Sequence, residues 1–455
     1  MTSMIQSVRR FFAPPPPTPR LPVDVANRVY PSYRWRALEA TFIGYALYYI
    51  VRGNTVGVVT GEMRSSLGYT REMIGNISAV TALTYGLSKF LMGSVSDRSD
   101  PRRFMSIGLL LTALCNFAFG ASTNYNVHLW LWGLNGFFQG MGWPPCGRVM
   151  GHWFSESERG LTFSIWNTSH NIGGGIAGLI AAWAVQRFGG WQYAFFVPGV
   201  IATIGSAYIF ARLRDTPQSV GLPPIEEYKS DYPAGGLPES ELERRLSYRE
   251  LLLEKVLLNP HVWLLAVANF FAYIARYSMI DWGPTYLREV KHATLDEGSF
   301  VQTAIEFGGI PSTIFFGWVS DRIGGRRGMV AAMCMLPIVI AFGVVVSAVG
   351  SQATSLDYVM FLTIGFFIYP VINLITIAAL DDVSKTAIGT AAGFIGLFGY
   401  IGKMVESKGI GRFVDKYSES LGLERAWTLA LYGVLASAVI SMFLLALTWK
   451  RKPRA

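Results

Sequence analysis

The chain has 455 residues, of which 51% are hydrophobic and only 15% are charged, and its mean hydropathy is +0.34. A soluble domain of this length needs a larger charged surface, so the composition excludes an ordinary water-soluble protein. The net charge of +9 does not indicate nucleic-acid binding, because basic residues in a membrane protein mark its cytoplasmic side. The cysteines Cys115, Cys146 and Cys334 lie in or beside apolar stretches and are expected to be buried thiols.

The amino-terminal segment does not have the pattern of a secretory signal. It carries Arg9 and Arg10 but no apolar core, and a polyproline run follows at 14–17. Polyproline is stiff and leaves its backbone solvated, so it cannot cross a bilayer. Residues 1–36 are therefore predicted to form a cytoplasmic tail that leads into an interfacial helix.

Twelve apolar windows reach the length of about 20 residues that a membrane-crossing helix needs. They are 38–60, 73–95, 104–122, 127–150, 160–185, 191–212, 261–286, 298–319, 328–349, 357–380, 387–411 and 426–449. We predict an all-α membrane protein with twelve transmembrane helices in two pseudo-symmetric six-helix halves. The halves are 37–212 and 261–449, with a cytoplasmic linker at 213–260 and a cytoplasmic end at 450–455.

The basic residues give the orientation of these windows. If both termini lie on one side, that side holds 26 of the 39 lysines and arginines, and the other side holds eight. Loops rich in lysine and arginine stay in the cytoplasm. We therefore expect a multi-pass protein of the inner (plasma) membrane with both termini and the central linker in the cytoplasm.

An internal repeat relates the two halves. Segment 93–103 matches segment 317–327 at seven of eleven positions, and we call the shift from 93 to 317 the repeat offset. The same offset relates Tyr49-x-x-Arg52 in the first window to Tyr273-x-x-Arg276 in the seventh. Two matches at one offset indicate halves in the same orientation, as in transporters built from parallel repeats.

The repeated G-x-x-x-D-R-x-x-x-R-R loops resemble the signature of the major facilitator superfamily. We expect them to brace or gate the cytoplasmic helix ends through contacts between aspartate and arginine. The alternative is that their arginines act only as topology signals. The residues concerned are Asp97, Arg98, Arg102, Asp321, Arg322 and Arg326.

Two arginines lie inside apolar windows, where each costs roughly 2.5–3.5 kcal/mol on insertion scales. They are Arg52 and Arg276, at equivalent positions of the two halves. A guanidinium fits phosphate oxygens two at a time, so an anion held between the halves would explain both. The alternative is structural pairing with carboxylates, for which Asp281 and Glu306 are the candidates near Arg276.

Two further ionisable residues lie inside windows. Lys89 is one turn beyond Tyr85, on the same helix face. His170 lies in a polar run that includes Asn167, where it would either contact a ligand in the cavity or bond to a neighbouring helix.

Segments 140–148, 170–175, 214–219, 221–229 and 390–400 resemble the organophosphate:phosphate antiporters, above all those that carry glycerol-3-phosphate. The resemblance covers nearly the whole chain after about residue 30. It implies exchange of an external organic phosphate, glycerol-3-phosphate first, for cytoplasmic inorganic phosphate, with Arg52 and Arg276 as the phosphate-binding pair. It also implies the cavity positions Lys89, His170, Asn167, Tyr45, Tyr49, Tyr85 and Tyr273.

The sequence departs from the glycerol-phosphate pattern in two places. Gly53 stands where those members have a lysine, and the eleventh window carries Lys403, Glu406 and Lys408 where theirs is apolar. Lys403 and Glu406 are spaced to pair at i,i+3, which leaves Lys408 as the unpaired cation. A cation here would favour a substrate with a second negative group, as in hexose-phosphate relatives, or would merely balance Glu406.

Three rival functions are compatible with the same residues. His170 with Asp281 or Glu306 would suit a proton-coupled symporter, and the resemblance also admits a hexose-phosphate or other sugar-phosphate transporter and a transporter-like sugar-phosphate sensor. An enzyme is not expected, because no nucleophile, base and metal-ligand cluster and no GxxxxGK[ST] motif is present in the sequence. We expect a monomer in membrane lipid that needs no metal or cofactor and binds no nucleic acid.

Overall fold

The computed structural model describes residues 10–52, 57–96, 98–231, 257–348, 355–381 and 388–451. Within these ranges the chain forms helices and no strand. We number the long helices α1 to α12 and cite short helices by their bounds. In the first half they are α1 (Val23–Ile50), α2 (Arg71–Ser96), α3 (Pro101–Ala121), α4 (Tyr125–Gln139, continued by Trp143–Trp153), α5 (Glu156–Phe188) and α6 (Tyr193–Arg212).

The second half repeats this order. Its helices are α7 (Pro260–Tyr277, a π-helical turn at Ser278–Trp282, then Gly283–Val290), α8 (Leu295–Arg322), α9 (Arg327–Ser347), α10 (Ser355–Asp381), α11 (Ile388–Leu421) and α12 (Leu423–Ala446). The short helices Thr60–Leu67 and Ile225–Lys229 lie outside these twelve. The predicted fold class is therefore confirmed, since each of the twelve windows coincides with one long helix.

Helix boundaries follow local sequence signals. Asn124 caps α4 and Asn259 caps α7, each by accepting hydrogen bonds from two backbone N–H groups of the first turn. Thr294 and Glu297 form a reciprocal capping box at the start of α8. These caps satisfy donors that would otherwise be left without partners at the helix ends.

Some predicted boundaries differ from the structure. Helix α1 begins at Val23 and runs without interruption to Ile50, so 23–36 belong to the first long helix rather than to a separate interfacial one. The first window extends to residue 60, but the chain leaves the helix at Val51. Helix α11 continues past its window to Leu421, because its polar end forms ion pairs outside the apolar region.

By length and composition, six helices of the described chain are apolar enough to cross a membrane: α3, α6, α7, α9, α10 and α12. Of the other long helices, α4 is interrupted after Gln139 and is too short, while α1, α2, α5, α8 and α11 carry polar and charged residues that lower their hydropathy. Four of these, α2, α5, α8 and α11, form the main contacts between the long helices of the two halves. Low hydropathy thus coincides with a position in the middle of the molecule.

Two helix pairs join the halves: α2 with α11, and α5 with α8. At the α2–α11 contact, each helix places a glycine against the backbone of the other helix. A Cβ at Gly75 would overlap the Ser407 carbonyl, and a Cβ at Gly411 would overlap that of Arg71. At the α5–α8 contact, Gln302 Nε2 donates to Gly174 O (3.0 Å) and Thr303 Oγ1 to Gly175 O (2.6 Å).

The chain segment before α1 and the first turns of α1 pack against the segment that follows α6. Arg20 forms a bidentate ion pair with Glu227, both bonds being 2.8 Å. The ring of Tyr30 stacks on Tyr228 with centroids 3.8 Å apart, and its hydroxyl donates to Pro223 O. We call the end of the molecule that carries these segments the termini face, and the other end the opposite face.

Candidate functional site

Arg52 lies just beyond the end of α1 and is 7% exposed. Its guanidinium carbon lies 4.0 Å from the ring centroid of Tyr49 and 4.3 Å from that of Tyr85. Cation–π contacts of this kind stabilise a cation by roughly 0.5–2 kcal/mol without neutralising it. Two aromatic faces therefore contact this buried charge.

Arg276 occupies the equivalent place in the second half, in the last turn of α7 before its π-helical turn, and is also 7% exposed. Its Nη2 donates to the Tyr369 hydroxyl at 2.7 Å and lies 3.8 Å from Glu306 Oε1. Tyr369 in turn donates to Glu306 Oε2, and Asn171 Nδ2 donates to the same oxygen at 3.2 Å. The alternative of a carboxylate near Arg276 therefore holds for Glu306, although as a distant contact rather than a close bidentate pair.

Aromatic side chains connect the two arginines along two paths. One path runs from Tyr49 to His170 (5.4 Å between ring centroids) and from His170 to Tyr369 (6.0 Å). The other includes Tyr85 and Tyr400 (4.7 Å), Tyr400 and Tyr273 (5.6 Å), and Tyr273 and Tyr277 (5.5 Å). Tyr369 and Tyr277 both contact Arg276. The two paths therefore form a closed ring of aromatic side chains that includes both arginines.

The other predicted cavity residues lie around this ring. His170 Nδ1 bonds to the carbonyl of Asn167 one turn earlier, so the hydrogen sits on Nδ1 and Nε2 is the nitrogen that remains for a ligand. Tyr45 lies behind Tyr49, between it and Trp166. Lys89 is half-buried, with its Nζ 5.7 Å from the ring centroid of Trp143.

A pocket beside Arg52 is lined by side chains from the end of α1 and from α2, α4, α7 and α11. Its polar lining combines one guanidinium, one ammonium, three phenols, two hydroxyls and an amide. The lining residues are Arg52, Ser78, Thr81, Ala82, Tyr85, Gln139, Tyr277, Tyr400 and Lys403. Arg52 and Lys403 therefore border the same pocket.

The charged residues of α11 differ from the predicted arrangement. Lys403 Nζ lies 3.4 Å from both carboxylate oxygens of Asp281 and 4.0 Å from the ring of Tyr277, so it pairs with α7 and not with Glu406. Glu406 is buried and accepts from Ser407 Oγ at 3.0 Å. Lys408 is exposed. The expected i,i+3 pair is wrong because the π-helical turn directs Asp281 toward α11.

The repeated loops on the termini face contact helix ends of their own half. Arg102 Nε donates to Phe210 O at the end of α6, and Asp321 pairs with Arg327, which joins the end of α8 to the start of α9. Arg322 lies over Trp318, Arg98 is exposed and Arg326 is half-buried, while Asp97 lies outside the described residues. These contacts lie within one half, and a bracing or gating role remains a prediction.

Sequence reasoning missed four residues that complete the site: Tyr277, Tyr369, Tyr400 and Gln139. Tyr277 directly follows Arg276, and Tyr400 closes the 390–400 segment, so both positions offered a signal. The internal repeat gives no signal for Tyr369 or Tyr400, because the residues one repeat offset earlier are Pro145 and Ile176, which are not tyrosines.

Ion pairs between the halves cluster at the opposite face. Arg71 bridges Glu289 and Asp415, each at 2.9 Å, and Arg64 also contacts Glu289. Arg288 pairs with Glu62 at 2.7 Å. At the termini face, each ion pair seen among the described residues joins groups of one half, such as Arg148 with Asp215 and Arg212 with Glu39. Among the described residues, ion pairs therefore join the two halves at the opposite face and not at the termini face.

A family model described as Major Facilitator Superfamily matches residues 41–405. The chain is 40% identical over 451 residues to the glycerol-3-phosphate transporter of Bacillus subtilis (strain 168), covering 98% of each chain. It is 37% identical to a probable hexose phosphate transport protein of Chlamydia pneumoniae, covering 97% of this chain and 96% of that protein. It is 38% identical to the membrane sensor protein UhpC of Salmonella typhimurium, covering 82% and 84%.

Among solved structures, the fold is similar to a bacterial homologue of the human lysosomal transporter Spinster in an inward-facing, unoccupied conformation. The TM-score is 0.72, and the alignment covers 93% of this chain and 99% of that one at 15% identity. At this identity the likeness concerns the fold alone.

Proposed function

The chain belongs to the Major Facilitator Superfamily, whose model spans most of it, and from that premise we propose that it is a secondary antiporter that exchanges an organic phosphate for inorganic phosphate. Glycerol-3-phosphate is the proposed organic substrate, since that is what the name of the 40% identical relative states. The chain is a multi-pass membrane protein, and we assign it to the inner (plasma) membrane with both termini in the cytoplasm because the basic residues concentrate on that side.

One observation carries this proposal: Arg52 and Arg276, from equivalent positions of the two halves, belong to one ring of aromatic side chains. Neither is exposed by more than 7%. Tyrosine faces lower the cost of burying a guanidinium without neutralising its charge, so the charge can still attract an anion. A phosphate dianion between them would be held by charge-assisted hydrogen bonds from both halves.

Exchange follows from the same arrangement. When substrate bridges Arg52 and Arg276, it attracts both halves. This attraction lowers the free energy of the closed conformation between the inward-open and the outward-open states. When the site is empty, the two cations repel each other in a medium of low dielectric, which disfavours closure. The protein would therefore return only with a second phosphate compound bound, so no ATP is required.

The cross-half ion pairs support an assignment of the present conformation within that cycle. They hold the opposite face closed through Arg71, Glu289 and Asp415. Under the proposed orientation this state faces the cytoplasm, where inorganic phosphate enters. The site is then reached from the termini face.

A hexose phosphate, or another organic phosphate with a second polar or negative group, is the second candidate substrate. It is favoured by Lys403, which lines the same cavity as Arg52. The hexose-phosphate relative and the sensor relative keep two alternatives open, sugar-phosphate transport and sugar-phosphate sensing.

Counterflow tests the proposal. Proteoliposomes loaded with inorganic phosphate should take up labelled phosphate, and external glycerol-3-phosphate should compete with it more strongly than glucose-6-phosphate or phosphoenolpyruvate. Arg52→Lys and Arg276→Lys should each lower exchange by about 100-fold or more, because lysine lacks the planar donor fork. Exchange near the wild-type rate in either variant would refute the site, and binding without exchange in the wild type would favour a sensor.

A further inference from the structure

The carbonyl end of α1 is held by three buried amide side chains. Because α1 ends at Ile50, its last carbonyls have no donor within the helix. Asn116 Nδ2 and Asn135 Nδ2 both donate to Val51 O, at 3.2 and 3.1 Å, and Gln139 Nε2 donates to Tyr48 O at 2.9 Å. These amides come from α3 and α4, and none is more than 2% exposed.

We propose that Asn116 and Asn135 are positioning residues for Arg52, which fix the Val51–Arg52 peptide so that the guanidinium meets phosphate at one place in every cycle. This inference rests on the proposed binding of phosphate at Arg52. The two asparagines do not touch the substrate. They act through the backbone that carries the arginine.

The two asparagines do more than satisfy the hydrogen-bonding capacity of the Val51 carbonyl. One donor suffices to avoid an unsatisfied oxygen, whereas two donors from different helices fix its position in space. The donors are themselves anchored, since Asn116 Nδ2 also donates to Thr112 O (2.9 Å) and Asn135 Oδ1 accepts from Gln139 (3.4 Å). On the other side of the same peptide, Arg52 N donates to Tyr49 O at 3.2 Å.

The second half fixes its arginine in another way. At the repeat offset, the carbonyl that corresponds to Val51 O is that of Ala275, which accepts a hydrogen bond from Ser278 Oγ of its own helix at 3.0 Å. Arg276 is instead held at its guanidinium, by Tyr369 and Glu306. The peptide that carries Arg52 is thus held by amides from two other helices, whereas Arg276 is contacted at its side chain by Tyr369 and Glu306.

The test replaces each asparagine by leucine, which has similar volume and no donor. In purified full-length protein, inorganic phosphate binding is measured by the phosphate-dependent rise in melting temperature, and KM and kcat by phosphate exchange in proteoliposomes. Asn116→Leu and Asn135→Leu should each raise Kd and KM for phosphate by about tenfold, and the double variant by more, with a smaller change in kcat. Asn269→Leu is the matched control, because Asn269 is 1% exposed and donates to Ile395 O at 2.9 Å.

The control should lower the melting temperature without ligand as much as Asn135→Leu does, yet leave phosphate Kd within about twofold of the wild type. Unchanged phosphate Kd in both asparagine variants, or an equal rise in the control, would overturn the positioning role. If the leucine variants do not fold, Asn116→Ser gives the same comparison. Failure of the wild type to bind phosphate would instead refute the proposed function.

Discussion

The Tyr369 hydroxyl accepts a hydrogen bond of 2.7 Å from Arg276 Nη2 while its ring centroid lies 4.3 Å from the same guanidinium. The hydroxyl also donates to Glu306. Tyr369 thus stands between the cation and its nearest carboxylate, and keeps the pair at 3.8 Å. The hydroxyl limits how far Glu306 neutralises Arg276.

Tyr369→Phe is therefore expected to weaken phosphate binding. Without the hydroxyl, Arg276 loses one partner and Glu306 can approach it more closely, so the cation is less available to substrate. A hydrogen bond to a charged group contributes roughly 1.5–3 kcal/mol, which corresponds to at least about a tenfold rise in phosphate Kd. Binding is measured by isothermal titration, with Tyr48→Phe as control, since Tyr48 donates to Met105 O away from the ring. Equal effects of both variants would contradict this role of Tyr369.

Lys403 is expected to select the organic group rather than the phosphate. Lys403→Met leaves Asp281 buried without its cation, which costs several kcal/mol, so the informative variant is Lys403→Met combined with Asp281→Asn. The double variant should lose preference among organic phosphates by about tenfold while phosphate self-exchange changes less. The measurement is competition of labelled phosphate counterflow by several organic phosphates. Equal losses in both assays would remove the specificity role.

Glu289→Gln is expected to favour the conformation open at the opposite face. Glu289 contacts Arg64 and Arg71 of the first half and accepts from Trp427 Nε1 at 3.1 Å. Loss of about 1 kcal/mol of attraction between the halves would raise the population open at the opposite face about fivefold, relative to the closed one. A cysteine replacing Ser78, which lines the cavity, should then react faster with an impermeant reagent added at that face.

The control for this shift is Glu39→Gln, because Glu39 pairs with Arg212 at 2.7 Å inside one half. It should leave the rate of cysteine labelling unchanged. An increase of the same size in the control would mean that labelling reports general loosening rather than opening.

Glu158 at the termini face should give a stability contribution that depends on pH. Although burial raises the pKa of Glu158, hydrogen bonds from Arg34 and the Ser155 N–H lower it below its usual 4.5 overall. A folded-state pKa below the unfolded one contributes stability above the unfolded pKa that is lost as pH falls. Glu158→Gln should cost about 1 kcal/mol at pH 7, and less as pH falls toward 4. Melting curves at several pH values check this, and a constant difference would contradict it.

The two arginines can be predicted from sequence because their signal is local. A guanidinium inside an apolar window is costly, and the repeat offset alone assigns Arg52 and Arg276 to equivalent points of the two halves. The twelve helices follow in the same way from runs of apolar residues.

The partners of these charges cannot be predicted from sequence, because they depend on helix rotation. Lys403 meets Asp281, 122 residues away, since the π-helical turn at Ser278–Trp282 adds a residue to the helical turn and rotates the rest of α7. Sequence spacing offers only the i,i+3 neighbour Glu406. Likewise, nothing near Asn116 or Asn135 in sequence connects them with Val51.

The reciprocal glycines at the α2–α11 contact have a mechanical consequence. Because the backbones of α2 and α11 already touch at Gly75 and Gly411, the two helices cannot move closer there. Tilting one helix against the other about this contact preserves the packing, whereas separating the helices would lose it. The contact lies near the start of α2, and about 30 Å of helix extends from it to Ser96. Each degree of tilt therefore displaces the Ser96 end of α2 by about 0.5 Å. A rotation of several degrees about this contact would thus separate the two halves by several ångströms at the termini face.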